Sequence, residues 1–215
     1  KQYNKKRRAF AKNLAPRPFP LNKRFFWRTR YVESSVSLDP TFGGLPSSYV
    51  FSLNGLYDPN ITGAGHQALG FDQFVGTMYD HYTVVGAKAT IMFTNSDTTS
   101  PMLVYAAVKD TNILSTEMST ILENGLTKYT VLGLAGSGSA VKTLKVGVNV
   151  RKFFGRDIMN SPTYQGTSAT NPADQVYLHL TAAPQSSGQD ESPVHATVVI
   201  EYAVYCTEPK LLAKS

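Results

Sequence analysis

The side chains best suited to chemistry lie at the start of the chain, and they are cations. Residues 1–30 contain eleven Lys and Arg and no acidic residue, whereas residues 31–215 contain ten basic and fifteen acidic residues. Clustered cations neutralise phosphates and release condensed counterions, so this composition predicts salt-sensitive binding of nucleic acid with little sequence preference. The predicted nucleic-acid-binding residues are Lys1, Lys5, Lys6, Arg7, Arg8, Lys12, Arg17, Lys23, Arg24, Trp27, Arg28 and Arg30.

Cations alternate with aromatic rings in the second half of this basic segment. In extended backbone the two sets fall on opposite faces, with Arg24, Arg28 and Arg30 on one and Phe25, Trp27 and Tyr31 on the other. Rings stack on unpaired bases, at about 1–3 kcal/mol per base. The alternative is that the rings belong to a core and the arginines to a solvated face, and the sequence leaves both interpretations open.

Residues 1–22 are predicted to form an arm. Its APRPFP segment holds three prolines, which fix φ and remove backbone donors, so we expect extended chain that orders on binding. The cluster Lys5, Lys6, Arg7 and Arg8 also predicts a nuclear-import signal. The chain starts at Lys1 and not at Met, and we expect the natural protein to continue upstream with more basic sequence.

The sequence offers little support for metal binding, catalysis or membrane insertion. His66, His81, His179 and His195 lack ligand spacing, and Cys206 has no nearby Cys or His, so neither a metal nor a cofactor is predicted. A divalent-cation site at Asp58 or at Asp190–Glu191 between subunits is a minor alternative. His179 alternates outward between two leucines and is expected to be exposed. No nucleophile elbow is present, so an enzyme is not predicted, and no run of about 18 apolar residues predicts membrane insertion.

Residues 23–208 read as one β domain, followed by a tail at 209–215. The predicted strands are Phe25–Leu38, Tyr49–Leu53, Tyr82–Asn95, Met102–Lys109, Lys128–Leu132, Val141–Arg151, Val176–Ala182 and His195–Thr207. Two short helices are predicted in loops, Phe71–Tyr79 and Ser115–Glu123. Apolar alternation predicts one inward face in each of three strands: Val85, Ala87, Ala89, Ile91 and Phe93; Leu144, Val146, Val148 and Val150; and Val198, Ile200, Tyr202, Val204 and Cys206.

Eight strands in a single domain predict an all-β fold, an eight-stranded antiparallel jelly-roll sandwich with a basic N-terminal arm. The main alternative is a closed eight-stranded barrel of the lipid-binding kind. Such barrels prefer short and nearly uniform hairpins, whereas these connections differ widely in length and include helices. The jelly roll is therefore favoured.

A motif-rich segment from Leu53 to Lys88 carries a resemblance to a known family. It reads LNGLYDPN, then GHQALGFDQ, then Y-x-x-Y-x-V-V-G-A-K. This pattern closely resembles the capsid proteins of small circular Rep-encoding single-stranded DNA viruses (CRESS-DNA viruses). Ala68 stands where that family usually has Pro, and Ala87 where it usually has Ser. We interpret the segment as architecture, because Asn54-Gly55 and Asp58-Pro59 are turn sequences.

The resemblance implies a jelly-roll subunit, sixty copies of which form a T=1 icosahedral shell around circular single-stranded DNA. Its implied partners are further copies of itself, the single-stranded DNA genome, the host nuclear import machinery and a host receptor. Its implied locations are the virion and, during assembly, the host nucleus. A non-assembling cellular single-stranded nucleic-acid-binding β protein is the alternative, and a jelly-roll enzyme or lectin is a third class that lacks site residues here.

The charge available for packaging is limited. Sixty chains with eleven cations each in residues 1–30 would supply 660 positive charges, which match several hundred phosphates. We therefore expect a further contribution from upstream sequence, from bound cations or from inward-facing side chains. The candidate side chains are Lys88, Lys145, Arg151, Lys152 and Arg156.

Overall fold

The computed structural model describes residues 21–41, 44–113, 118–123, 126–185 and 191–211. Through these residues run the strands β1 Arg24–Leu38, β2 Ser47–Ser52, β3 Tyr79–Asn95, β4 Met102–Lys109, β5 Thr127–Leu132, β6 Val141–Asn149, β7 Gly166–Thr167, β8 Tyr177–Pro184 and β9 Val194–Pro209. Between them lie the helices α1 Phe71–Phe74, α2 Met118–Glu123 and α3 Val150–Phe154, and the 3-10 turn Pro162–Tyr164.

The strands form two antiparallel sheets packed face to face. The first sheet has the order β1-β9-β3-β6, with β7 paired beside β3, and the second has the order β2-β8-β4-β5. The chain crosses between the sheets on most of its connections, which is the winding of a jelly roll. The predicted fold class is confirmed. The additional strand, β7, is two residues long, too short for alternation to predict.

The core lies between the sheets and is built from the inward residues of each strand. The predicted inward face of β9 is confirmed, since each of its members is at most 1% exposed: Val198, Ile200, Tyr202, Val204 and Cys206. Burying a valine or isoleucine side chain stabilises the fold by about 1.5–3 kcal/mol. The Tyr202 hydroxyl donates to the Ser52 carbonyl at 2.7 Å, which ties the first sheet to the second across the core.

A β-bulge in β3 alters the set of residues that face the core. The register with β9 shifts between Val84 and Gly86. Val84 is 1% exposed, whereas Val85 is only partly buried. Val85 nevertheless packs against the core, as predicted, and the bulge adds Val84 to the inward side, which strict alternation does not predict. From Ala87 to Phe93 the inward face is as predicted.

The helix predicted for Phe71–Tyr79 is shorter than expected. It ends at Phe74, because Val75 is extended and Gly76 has a φ of 87°, a left-handed conformation that favours glycine. Tyr79 is already the first residue of β3. The apolar spacing that predicted a longer helix therefore reflects side chains that are buried in a segment rich in turns. The second predicted helix is described from Met118 to Glu123.

β6 also ends earlier than predicted. The strand stops at Asn149, and Val150 begins α3. The Asn149 side chain accepts a hydrogen bond from the Lys152 backbone amide at 2.9 Å, which caps the new helix. An N-capping asparagine was the sequence signal for this change, and continued apolar alternation through Val150 concealed it.

The motif-rich segment ties distant loops together. Asn54 is 1% exposed, and its side chain accepts from the Val176 amide at 2.9 Å and donates to the Asp174 carbonyl at 3.0 Å. Asn171 likewise accepts from the Asp58 amide at 3.0 Å and donates to the Asp58 carbonyl at 2.7 Å. These contacts support an architectural role for the motif, since they anchor the connection that leads into β8.

Asp97 fastens two loops at one end of the sandwich. One carboxylate oxygen accepts from the Thr99 amide at 2.6 Å, the Thr99 hydroxyl at 2.7 Å and the Ser100 amide at 2.8 Å. The other accepts from the Ser192 amide at 2.8 Å. These donors, the Ser192 amide first, hold the pKa of Asp97 well below its usual range. The β3–β4 connection is thereby joined to the segment that enters β9.

The expectation that His179 is exposed was wrong. The side chain does point away from the core, but it is 3% exposed, and its Nε2 lies 2.7 Å from the Thr111 carbonyl. The loop after β4 covers it. Burial lowers the pKa of His179 below its ordinary value, assisted by the charge of Lys109 and opposed by the Thr111 carbonyl.

Acidification is expected to destabilise the protein through His179. The unfolded chain binds a proton at this residue below about pH 6.5, whereas the folded chain resists it, so the stabilisation present above that pH is lost as the pH falls. Urea unfolding at about pH 7 and pH 5 should show a smaller loss of unfolding free energy for His179→Gln than for the wild type. Replacing the exposed His195 by Gln should leave the loss unchanged.

Candidate nucleic-acid interface

The outer face of the first sheet, which points away from the core, is set by alternation along β1. Trp27, Thr29 and Tyr31 are buried, whereas Arg28 and Arg30 are exposed. The predicted separation of Trp27 and Tyr31 from Arg28 and Arg30 is therefore confirmed. The arginines lie on the outer face because β1 needs every second residue for the core.

Register brings cations from distant strands onto the same face. Arg30, Glu201 and Lys88 lie in one row across β1, β9 and β3. In the next row Lys145 of β6 lies beside Thr90 of β3. We call the outward side chains Arg28, Arg30, Lys88, Lys145 and Glu201 the basic face. Lys88 and Lys145 thus lie on the same outer face as the β1 arginines, with Lys88 across β9 from Arg30 and Lys145 one strand further on.

The basic face retains a surplus of positive charge. Glu201 accepts a hydrogen bond from Arg30 at 2.7 Å, and this bond, with the charges of Arg30, Lys88 and Arg28, lowers the pKa of Glu201. The ionised Glu201 offsets one of four cations. By contrast, Lys109 is the one Lys or Arg that register places on the outward rows of the second sheet in its described strands. The two sides of the sandwich therefore differ in charge.

Further cations border the basic face without joining its rows. Arg24 donates to the Asn160 side chain at 3.1 Å, and Asn160 donates to Asp157 at 2.8 Å. The Met159 amide, Asn160, and the charges of Arg151 and Arg24 lower the pKa of Asp157, which remains an anion beside Arg24. Three other cations, which were predicted to face the interior of a shell, are exposed to solvent in α3 or just after it: Arg151, Lys152 and Arg156.

The arm residues among the predicted site lie outside the described residues: Lys1, Lys5, Lys6, Arg7, Arg8, Lys12 and Arg17. Lys23 is exposed directly before β1. Because β1 begins at Arg24 and leads straight into Arg28 and Arg30, the arm connects to one end of the basic face. The basic sequence before Arg24 is therefore continuous in the chain with the strand that carries Arg28 and Arg30.

Trp27 does not fit the predicted role of a nucleic-acid contact. Its side chain is 9% exposed and belongs to the core, with its ring 4.6 Å from the ring of Phe74. A ring that is 9% exposed leaves too little surface for a base to stack on. The core interpretation was correct for Trp27, and base stacking by this residue was wrong.

The sequence reasoning missed the ring that does face outward. Phe26 is 44% exposed and lies between Arg24 and Arg28 on the outer face of β1. Its partner in register is Tyr205 of β9, and the two ring centroids are 5.1 Å apart. The phase of β1 could have identified Phe26, since it shares the parity of the arginines, but Tyr205 requires the register with β9.

A groove lies beside this aromatic pair. It has a volume of about 830 Å³, and its lining includes Arg28, Arg30, Lys88, Ala203 and Gly86. Arg28, Ala203 and Gly86 form one row, so two of the smallest side chains lie next to an arginine. The groove therefore offers an apolar floor, with Arg28, Lys88 and the Arg30–Glu201 ion pair at its margins.

Other kinds of site are not supported by the geometry. Within the described residues, no group of three or more His, Cys, Asp or Glu side chains could hold a metal ion. Burial raises the pKa of the Cys206 thiol to about 11, so this cysteine is an unreactive core residue. No helix in the described part of the chain is long and apolar enough to span a membrane.

The sandwich has the jelly-roll fold found in virus particles. It is similar to a chain of Mud crab tombus-like virus, with a TM-score of 0.52 and 8% identity over 95% of this chain and 100% of that chain. It is also similar to a chain of the semi-empty virus-like particle of the giant freshwater prawn Macrobrachium rosenbergii nodavirus, with a TM-score of 0.50 and 8% identity over 91% and 100% of the two chains. At such low identity the likeness shows the fold alone. No protein-family model matches the chain, and no curated protein matches its sequence.

Proposed function

We propose that this chain is a viral capsid subunit that packages single-stranded nucleic acid. The observation that carries the proposal is a jelly roll with one basic outer face joined to a basic arm. The fold it shares with chains of two virus structures supports the capsid role. In this role the protein is structural and performs no catalysis. The basic face lines the interior of the shell, and neighbouring copies meet through loops and edges.

The type of genome follows from the sequence motifs. The LNGLYDPN and GHQALGFDQ segments resemble CRESS-DNA virus capsid proteins, so we propose circular single-stranded DNA in a T=1 shell of sixty copies. The Lys5–Arg8 cluster then serves nuclear import through the host machinery, which places assembly in the host nucleus. Residues 1–22 bind the genome together with the basic face, and a host receptor recognises the assembled virion.

A non-assembling single-stranded nucleic-acid-binding protein is the second candidate, and the aromatic pair on the basic face favours it to the same degree. Assembly separates the two. The jelly roll exposes loops at both ends of the sandwich, and sixty copies can meet about symmetry axes through such loops. A binding module has no need of that arrangement.

Electron microscopy of the purified chain tests the proposal. We expect uniform round particles whose nucleic acid is digested, after the particles are opened, by a single-strand-specific nuclease and by DNase but not by RNase. Monomers or dimers without particles contradict the capsid role. Particles filled with RNA would support the capsid role but overturn the assignment of DNA as the genome.

A further inference from the structure

We propose that Phe26 and Tyr205 form a stacking site for unpaired nucleobases, and that this site gives the basic face a preference for single strands over duplex. The inference rests on the proposed nucleic-acid role and names the part of the surface that selects the strand form. The occupant is a single-stranded polynucleotide, with a base on the rings and its phosphates on the neighbouring cations.

The geometry of the ring pair suits a base. The centroids of Phe26 and Tyr205 lie 5.1 Å apart with an interplanar angle of 54°, so the rings brace each other side by side. Phe26 is 44% exposed and Tyr205 partly exposed. The exposed Phe26 ring leaves apolar surface in contact with water, and every base has an aromatic face that can cover it.

The charges around the rings specify an anionic partner. Arg24 and Arg28 flank Phe26 on the same face of β1, each about 6.6–6.8 Å along the strand. Glu201 lies further along and already pairs with Arg30. Alternating cations and rings match the alternating phosphates and bases of a single strand.

The groove beside the rings provides space for the next nucleotide. Its floor is Ala203 and Gly86, one row along from Tyr205, and Lys88 lies at its margin. A polynucleotide can therefore pass from the rings into the groove while its backbone remains against Arg28 and Lys88. A duplex keeps its bases paired and stacked internally, so it reaches the cations but not the rings.

Binding of labelled oligothymidylate and of a duplex of equal length to the full chain tests this site. Phe26→Leu combined with Tyr205→Leu should weaken oligothymidylate binding about tenfold and duplex binding less than about twofold. The slope of log affinity against log salt should stay the same, because no phosphate contact is lost. Ala203→Leu, which fills the groove floor but leaves every charged side chain and both rings in place, should also weaken single-strand binding selectively.

Two matched variants keep the test decisive. Phe26→Tyr retains a ring and should bind as the wild type does. Arg28→Gln should weaken both probes alike and reduce the salt slope by about one. If the leucine variants lose affinity equally for both probes, or lose none, the stacking site is overturned. Particles seen by microscopy would in that case leave the capsid role unaffected. Absence of particles with intact single-strand preference overturns the capsid role alone.

Discussion

Deleting residues 1–22 is expected to give shells that have lost about half or more of their nucleic acid. The deletion removes seven of the eleven cations in residues 1–30 and leaves β1 intact from Arg24 onwards. Since each lost cation removes a counterion-releasing contact, affinity for the genome falls steeply while the sandwich keeps its core. The ratio of absorbance at 260 and 280 nm, measured on purified particles, reports the change.

A variant of unchanged length distinguishes the effect of the arm's charge from the effect of its presence. Replacing the seven cations of residues 1–22 by Gln keeps the arm but removes its charge, and it should reproduce the deletion. If the deleted chain fails to fold while the Gln variant folds, the arm is part of the domain. If both variants retain a full complement of nucleic acid, the basic face alone suffices and the role of the arm in packaging is refuted.

Replacing Asp97 by Ala is expected to cost about 3–5 kcal/mol of unfolding free energy. The side chain is 5% exposed and accepts from three backbone amides and one hydroxyl. Truncation removes the acceptor of the buried Ser100 amide and of the part-buried Thr99 and Ser192 donors, and it releases the β3–β4 connection from Ser192. Urea denaturation of the unassembled chain measures the loss, and shell formation should fail near physiological temperature.

Asp97→Asn and Asp110→Ala provide the controls. The amide keeps the shape and one acceptor oxygen, so its cost should fall between those of wild type and Asp97→Ala. Asp110 is exposed, and its replacement should have little effect. Because the folded pKa of Asp97 lies below the unfolded value, its contribution is present above about pH 4 and is lost as the pH falls further. A cost for Asp97→Ala no larger than that for Asp110→Ala would refute the role assigned to this carboxylate.

The sandwich could be predicted because alternation is a local signal. The inward face of β9 follows directly from the sequence, since the extra residues at the two register shifts lie in its partner strands and β9 itself is uninterrupted. The bulge at Val84–Gly86 could not be predicted, because it depends on the partner strand. The change from β6 to α3 at Asn149 was hidden for a related reason: a buried Val150 fits either element.

The candidate site was only half predictable. The sequence separated arginines from rings in β1 but could not decide whether Trp27 met the core or a base. Lys88 and Lys145 join the face only through pairing across β9 and β3, which is tertiary information. Tyr205 lies near the far end of the chain from Phe26, and no local pattern connects the two.

The position of β9 has a consequence for the order of events during synthesis. β1, the first strand, pairs with β9, and β9, the last, pairs with β3. Arg30 and Lys88 therefore become neighbours only when the final strand leaves the ribosome and inserts between them. A growing chain exposes its basic start early but has no organised surface for a polynucleotide until translation is nearly complete.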